Sequence, residues 1–190
     1  MKQLILRLSL LVSVAALITN ISFCQSKDEK APLKVIIIRH AEKPDDGDNL
    51  SCQGLNRALA LPQVLYSKFR LPDYIFVSSI NTGKKTGTAR MYQTIVPFAV
   101  KYNLKIDTKF DVGNEKGLCQ SILKKSGTVL IVWEHDNIPA IAQELGVTGG
   151  DKKLKWKGSD FDSIWIITFK NGKAELTTDK ENIDPSTDCK

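Results

Sequence analysis

Val35-Ile36-Ile37-Ile38-Arg39-His40-Ala41-Glu42-Lys43-Pro44 is the stretch on which the reading of this chain turns. Four consecutive β-branched apolar residues read as a strand buried on both faces, the pattern of a parallel sheet covered on either side. The run stops abruptly at Arg39 and His40, which places both where the strand emerges. In open α/β sheets the carboxyl edge is where ligands bind. A guanidinium fork matches the geometry of phosphate oxygens, and an imidazole can attack phosphorus and carry the group covalently.

The other strongly apolar run is Thr128-Val129-Leu130-Ile131-Val132-Trp133, and it ends alike, at Glu134-His135-Asp136-Asn137. His40 and His135 are the two histidines of the 190-residue chain. If both strands run parallel, both imidazoles reach one edge. Between them, Tyr74–Val77 reads as a short strand ending at Ser78 and Ser79, followed by a loop from Asn81 to Gly87. A helix from Thr88 to Tyr102 then carries Arg90 in its first turn, where a helix N-terminus favours anions. Two arginines and two histidines thus converge on a pocket suited to a tetrahedral dianion.

The remaining elements alternate around these strands. Ser51 is the expected N-cap of a helical segment from Cys52 to Phe69, which Pro62 should kink or divide. The second helix should turn Ala89, Tyr92, Ile95, Val96 and Ala99 inward. Leu104–Ile106 reads as a weak third strand, Phe110–Glu115 as a loop and Lys116–Lys124 as a short helix. Ile138–Leu145 reads as a helix closed by Gly146. The loop from Gly149 to Asp160, with its lysines between Lys152 and Lys157, is expected to be exposed. Ser163–Phe169 and Ala174–Thr178 flank Asn171-Gly172, the strongest short hairpin signal. This order predicts an α/β fold, a three-layer α/β/α sandwich with a mostly parallel central sheet and an antiparallel C-terminal edge hairpin.

Composition sets the outer bounds. With 42% hydrophobic and 25% charged residues the chain suits one globular domain. Lys2 and Arg7 precede the apolar run Leu8–Ile18, too short for a comfortable membrane span. Residues 1–24 read as a signal peptide cut between Cys24 and Gln25. A lipid anchor on Cys24 ranks second, because bulky Phe23 precedes it, and an uncleaved anchor third. Residues 25–33 read as a linker, 34–178 as the domain, and 179–190 as a polar, poorly ordered tail. The expected product is exported, periplasmic or secreted, with no stable membrane span. The net charge is +6, and removing Lys2 and Arg7 with the leader leaves about +4, a modest excess that suits a small anionic substrate. The basic residues are scattered and no aromatic-interleaved basic stripe occurs, which argues against nucleic acid as a partner. Cys52, Cys119 and Cys189 allow at most one intrachain disulfide, whose pairing the spacing leaves open. No cysteine spacing resembles a zinc site.

On Arg39-His40 after the apolar strand, Arg90 within Thr88-Ala89-Arg90-Met91-Tyr92-Gln93-Thr94, and His135 after the second apolar strand, the chain resembles the histidine phosphatase superfamily, which includes the phosphoglycerate mutase-like phosphatases. The similarity runs from about Lys34 to about Leu145. The resemblance implies the same sandwich and phosphomonoester hydrolysis through a phosphohistidine, with a small phosphorylated substrate or inorganic phosphate as ligand and neither metal nor cofactor. By resemblance His40 is the nucleophile, and Arg39, Arg90 and His135 bind the transferring phosphoryl group. The chain departs from the family in carrying Ala41 after the histidine, in lacking the asparagine of mutase-like members, and in offering no obvious proton donor. Asp136 ranks first for that role, with Glu115 and Glu134 behind. Glu42 and Lys43 either tune the mouth of the site or pair with each other at the surface. A phosphate-binding or catalytically degenerate member, a metal hydrolase built on the two histidines, and a mutase are the competing readings. Arg39 beside His40 argues against a bound metal, and an export signal and a short chain argue against a mutase.

Overall fold

The apolar runs and the helical segments between them assemble into one sheet with helices on both faces. The computed structural model describes residues 31–80, 89–149 and 154–189. In chain order the elements are β1 (Lys34–Arg39), α1 (Cys52–Phe69), β2 (Tyr74–Ser78), α2 (Ala89–Tyr102), β3 (Ile106–Phe110), α3 (Glu115–Ile122), β4 (Thr128–Trp133), α4 (Ile138–Glu144), β5 (Ser163–Lys170) and β6 (Lys173–Lys180). The strand order is β3-β2-β4-β1-β5-β6. β1 to β4 are mutually parallel, β5 runs antiparallel to β1, and β6 antiparallel to β5.

Successive side chains on a strand point to opposite faces. Val35 and Ile37 therefore join Phe76, Ile131, Trp133 and Ile167 under α3 and α4. Ile36 and Ile38 join Ile75, Val77, Val132 and Ile164 under α1 and α2. The central strands are apolar on both sides because both sides are covered. The signals for β4, for the hairpin and for the Ser51 cap, which accepts from Gly54 N, all read correctly. Asn171 and Gly172 both adopt positive φ (51° and 74°), as a tight two-residue turn requires.

Several local expectations are corrected. α1 is one continuous helix with Pro62 inside it, because Leu61 and Leu65 anchor the turns on either side to the core. α2 buries Met91, Thr94 and Phe98 beside Ile95 and Ala99, while Tyr92 and Val96 lie on its half-exposed flank. β3 spans Ile106–Phe110 rather than 104–106, and α3 begins at Glu115, with Asn114 as its cap. As an edge strand β3 alternates exposed Asp107 and Lys109 with more buried neighbours, so no continuous apolar run marks it. In the lysine-rich loop Trp156 is buried and packs on Trp165, ring centroids 5.2 Å apart, because an indole gains from apolar cover while the flanking Lys155 and Lys157 stay exposed. The loop 81–87 and residues 1–30 with the candidate leader fall outside the described residues, as do residues 150–153 of the loop before β5. From Glu181 the tail is tied down: Glu181 is buried, Asn56 donates to the carbonyls of Ser186 and Asp188, and Cys189 is bonded to Cys52. Cys119 is free and buried. Among the described residues no helix is long and apolar enough to cross a membrane.

Candidate active site

β1 and β4 are in register, with Arg39 opposite Trp133, so the residues just beyond them emerge side by side. His40 N donates to Trp133 O at 3.1 Å, extending the ladder by one bond and seating the imidazole at the sheet edge. Ala41 N donates to Thr94 Oγ1 (2.9 Å), and Thr94 Oγ1 donates to Arg90 O (2.8 Å). One hydroxyl thus joins the backbone after His40 to the first turn of α2, where Arg90 lies.

His40 is 4% exposed. Its Nδ1 lies 2.7 Å from Ala41 O, and a carbonyl oxygen only accepts, so Nδ1 carries the proton and Nε2 keeps its lone pair. Burial pushes the imidazole down to about 4, helped by the charges of Arg39, Arg90 and His135 and opposed by the Ala41 bond. The side chain is therefore neutral at ordinary pH, the form that can attack.

Arg39 is equally buried. Its Nη1 donates to Gly158 O and, at 3.4 Å, to Asp160 O, and its guanidinium lies 3.7 Å from the Phe161 ring centroid. Nε is buried without a hydrogen-bond partner among the described residues. Burial lowers its proton affinity to about 10, which still leaves it charged at neutral pH. Arg90 is half-buried and donates to Gly47 O (2.7 Å) and Asn49 O (3.4 Å), holding the loop after β1 against α2. His135 is partly exposed. Burial first, then the charge of Arg39, lower its proton affinity, while Asp136, 3.3 Å from Nε2, opposes them. Gly158 packs against this ring: a Cβ there would lie 3.4 Å from His135 Nε2. Gly158 thus lies beside both: its carbonyl accepts from Arg39, and a side chain there would meet the His135 ring.

The structure thus brings Arg39, His40, Arg90 and His135 together at one edge. Asp136 lies at the rim with its side chain 81% exposed. Glu134 is half-buried, and burial together with the charge of Asp136 raises its proton affinity. Glu115 is buried, and its Oε1 accepts from Trp133 Nε1, Asn137 and Gly113 N, fastening the end of β4 to the start of α4. Glu42 does not pair with Lys43: it is buried against Arg57 of α1, since a carboxylate drawn inside needs a matching fork. Lys43 is exposed.

Sequence reasoning missed Phe161 and the carbonyls of Gly158 and Asp160, which hold Arg39 across 119 residues or more of chain. The one local signal is an aromatic set among aspartates, Asp160-Phe161-Asp162, just before a buried strand. No three His, Cys, Asp or Glu side chains among the described residues are grouped so as to hold a metal ion.

No family model matches the sequence, and no curated protein is significantly similar to it. Solved structures are similar in fold. The histidine phosphatase SixA complexed with tungstate aligns with a TM-score of 0.57 at 17% identity, over 78% of this chain and 97% of that one. A mycobacterial glucosyl-3-phosphoglycerate phosphatase with inorganic phosphate aligns at 0.55 and 14%, over 77% and 95%. A mutant phosphoserine phosphatase from Entamoeba histolytica, in complex with phosphoserine, aligns at 0.52 and 14%, over 79% and 97%. With its mixed six-stranded sheet and an edge hairpin closing one side, the chain has the fold of the histidine phosphatase, or phosphoglycerate mutase-like, superfamily.

Proposed function

We propose that the protein is an exported phosphomonoesterase acting through a phosphohistidine at His40. The observation that carries the reading is a buried, neutral imidazole with Nδ1–H donated to Ala41 O, within reach of the charges of Arg39, Arg90 and His135. A nucleophile that is neutral at working pH, set among cations, is what phosphoryl transfer asks of a protein: positioning and charge stabilisation around the equatorial oxygens. His40 Nε2 attacks phosphorus in line, the ester oxygen leaves with a proton, and water then displaces phosphate from His40. The fold's solved members named above include phosphatases bound to tungstate, phosphate and phosphoserine, which supports the same ligand chemistry here.

For the proton donor, Glu134 fits better than Asp136. A general acid must hold its proton at the working pH. Glu134 is half-buried, and burial, then the charge of Asp136, raise its proton affinity, whereas Asp136 is solvated and lies 3.3 Å from His135. Export is supported by the leader-like N-terminus and by the Cys52–Cys189 disulfide, since such bonds persist in oxidising compartments. The mature chain is then expected to begin near Gln25, which mass spectrometry of the native protein reads directly.

The test is hydrolysis of an aryl phosphate, with and without chelator, by the full chain and by His40→Ala. Turnover insensitive to chelator, lost in His40→Ala, with acid-labile label on His40 after a substrate pulse, supports the reading. Turnover retained in His40→Ala refutes it, and phosphate binding without turnover in the parent protein points to a binding member of the fold.

A further inference from the structure

We infer that Arg57 is a positioning residue for the phosphoryl site, a buried clamp that locks the loop after His40 to the segment that cradles Arg39. The inference rests on the reading of His40 and Arg39 as the phosphoryl site. Arg57 itself touches neither.

One side of its guanidinium grips Glu42, two residues after His40: Nε lies 2.9 and 3.0 Å from the two carboxylate oxygens, and Nη2 lies 2.8 Å from Oε1. The Glu42 carbonyl in turn accepts from Ser51 N at 3.0 Å, and Gly54 packs so closely on it that a Cβ would overlap the oxygen. The loop after His40 is therefore pinned at both its carboxylate and its backbone. The other side of the guanidinium, Nη1, donates to Glu181 at 2.8 Å and lies 3.8 Å from Asp162 Oδ1. Asp162 follows Phe161, the ring under Arg39, and belongs to the same segment as Gly158 and Asp160, whose carbonyls receive Arg39 Nη1. That segment is secured to the tail as well: Asp162 O accepts from Glu181 N (2.7 Å), and Asp162 Oδ1 from Asn182 N (2.8 Å). Arg57 thus meets both the loop after His40 and the segment under Arg39.

Stability alone does not account for the arrangement. A buried ion pair gains little over apolar side chains of the same volume. What a bidentate fork adds is direction: it fixes its partner in angle as well as distance. Burial pushes the Glu181 carboxyl up while Arg57 pulls it back down, and Glu42 takes the bidentate grip and Glu181 a single hydrogen bond. The placement spans the whole fold, since Glu42 and Arg57 are separated by 15 residues and Arg57 and Glu181 by 124.

The test uses the full, disulfide-bonded chain and three variants. Arg57→Lys keeps the charge but replaces the fork by a point. Glu42→Gln with Arg57→Met removes the fork together with the carboxylate it grips, a gentler change than a single Arg57→Met, which would leave buried Glu42 without its partner. Lys68→Ala, which breaks a surface tie to Asp179 of β6, is the control. Two readouts are taken. NMR follows the Arg39 side-chain resonances, displaced upfield by the Phe161 ring, and steady-state kinetics on an aryl phosphate separates kcat from KM. Both clamp variants are expected to lose the Arg39 displacement while the core stays folded. In both, kcat should fall by about 10²-fold, the order a displacement of about 1 Å at the reacting groups costs, with KM nearly unchanged. Lys68→Ala should match the parent in both readouts. A folded clamp variant that keeps the Arg39 displacement and the parent kcat overturns the inference. If the parent protein shows no turnover, the catalytic reading fails, and the Arg39 displacement still decides the role of Arg57.

Discussion

His40 makes the stability of this protein depend on pH in a way that can be measured without knowing its substrate. In the unfolded chain its imidazole titrates near 6.5. In the fold it is pushed down to about 4, by burial first and then by Arg39, Arg90 and His135. Between those values the unfolded chain takes up a proton that the folded chain refuses, so acid favours unfolding. The sign is that of a depressed basic group: the penalty is absent well above pH 6.5, grows as pH falls, and is complete below pH 4. Its full size is about 3 kcal/mol, of which roughly 2 kcal/mol develops between pH 7 and pH 5. The assay is urea unfolding at pH 7 and pH 5 of the parent protein and of His40→Asn, whose amide can still donate to Ala41 O. Other groups, including Glu181, which is pushed up to about 8 and acts in the opposite sense, are common to both proteins and cancel in the comparison. The parent should lose roughly 2 kcal/mol more than the variant on going from pH 7 to pH 5. An identical pH dependence in the two would show that His40 is not held neutral by its surroundings, and the argument for its attacking form would fall. With intact His40, kcat/KM on an aryl phosphate should keep its acid limb near pH 4 rather than near 6.5, provided no other group titrates first.

Three further outcomes follow from the geometry. Opening the Cys52–Cys189 bond, by reductant or by Cys189→Ser, frees a loop of 137 residues and the tail that carries Glu181; chain entropy alone puts the loss at about 5 kcal/mol, and a urea midpoint unchanged by reductant would contradict it. Gly54→Ala places a methyl group against the Glu42 carbonyl and should cost about 1–3 kcal/mol by overpacking, read in the same unfolding assay, with neutral stability as the contrary result. Glu134→Gln should slow an alkyl phosphate by about 10²–10⁴-fold and a nitrophenyl phosphate far less, because only the poor leaving group needs a proton. If Asp136→Asn shows that dependence instead, the rim carboxylate is the donor.

The resemblance of two strand endings carried most of the fold and the outline of the site. β1 and β4 were legible because a strand covered on both faces must be apolar at every position, and such runs are scarce. The hairpin was legible because Asn171-Gly172 tolerates positive φ, a property of the dipeptide itself. Arg39, His40, Arg90 and His135 could be placed together because parallel strands bring their carboxyl ends to one edge. β3 was read only as a weak strand, and placed at Leu104–Ile106 instead of Ile106–Phe110, for the complementary reason: an edge strand needs only alternating burial, and its polar half hides the signal.

By itself, then, the sequence determined the alternation of elements, the direction of the central strands and the residues at the sheet edge, because each of these depends on local conformational preference and on periodic burial. Only the tertiary structure decided that Phe161, Gly158 and Asp160 cradle Arg39, that Arg57 joins Glu42 to Glu181, and that Cys189 rather than Cys119 meets Cys52. These pairings link residues far apart in the chain, and each polar partner looks in sequence like any solvated side chain. Their choice follows from which groups the closing of the sheet withdraws from water, where an unpaired charge or carbonyl is too costly to leave and the nearest complementary group must answer it.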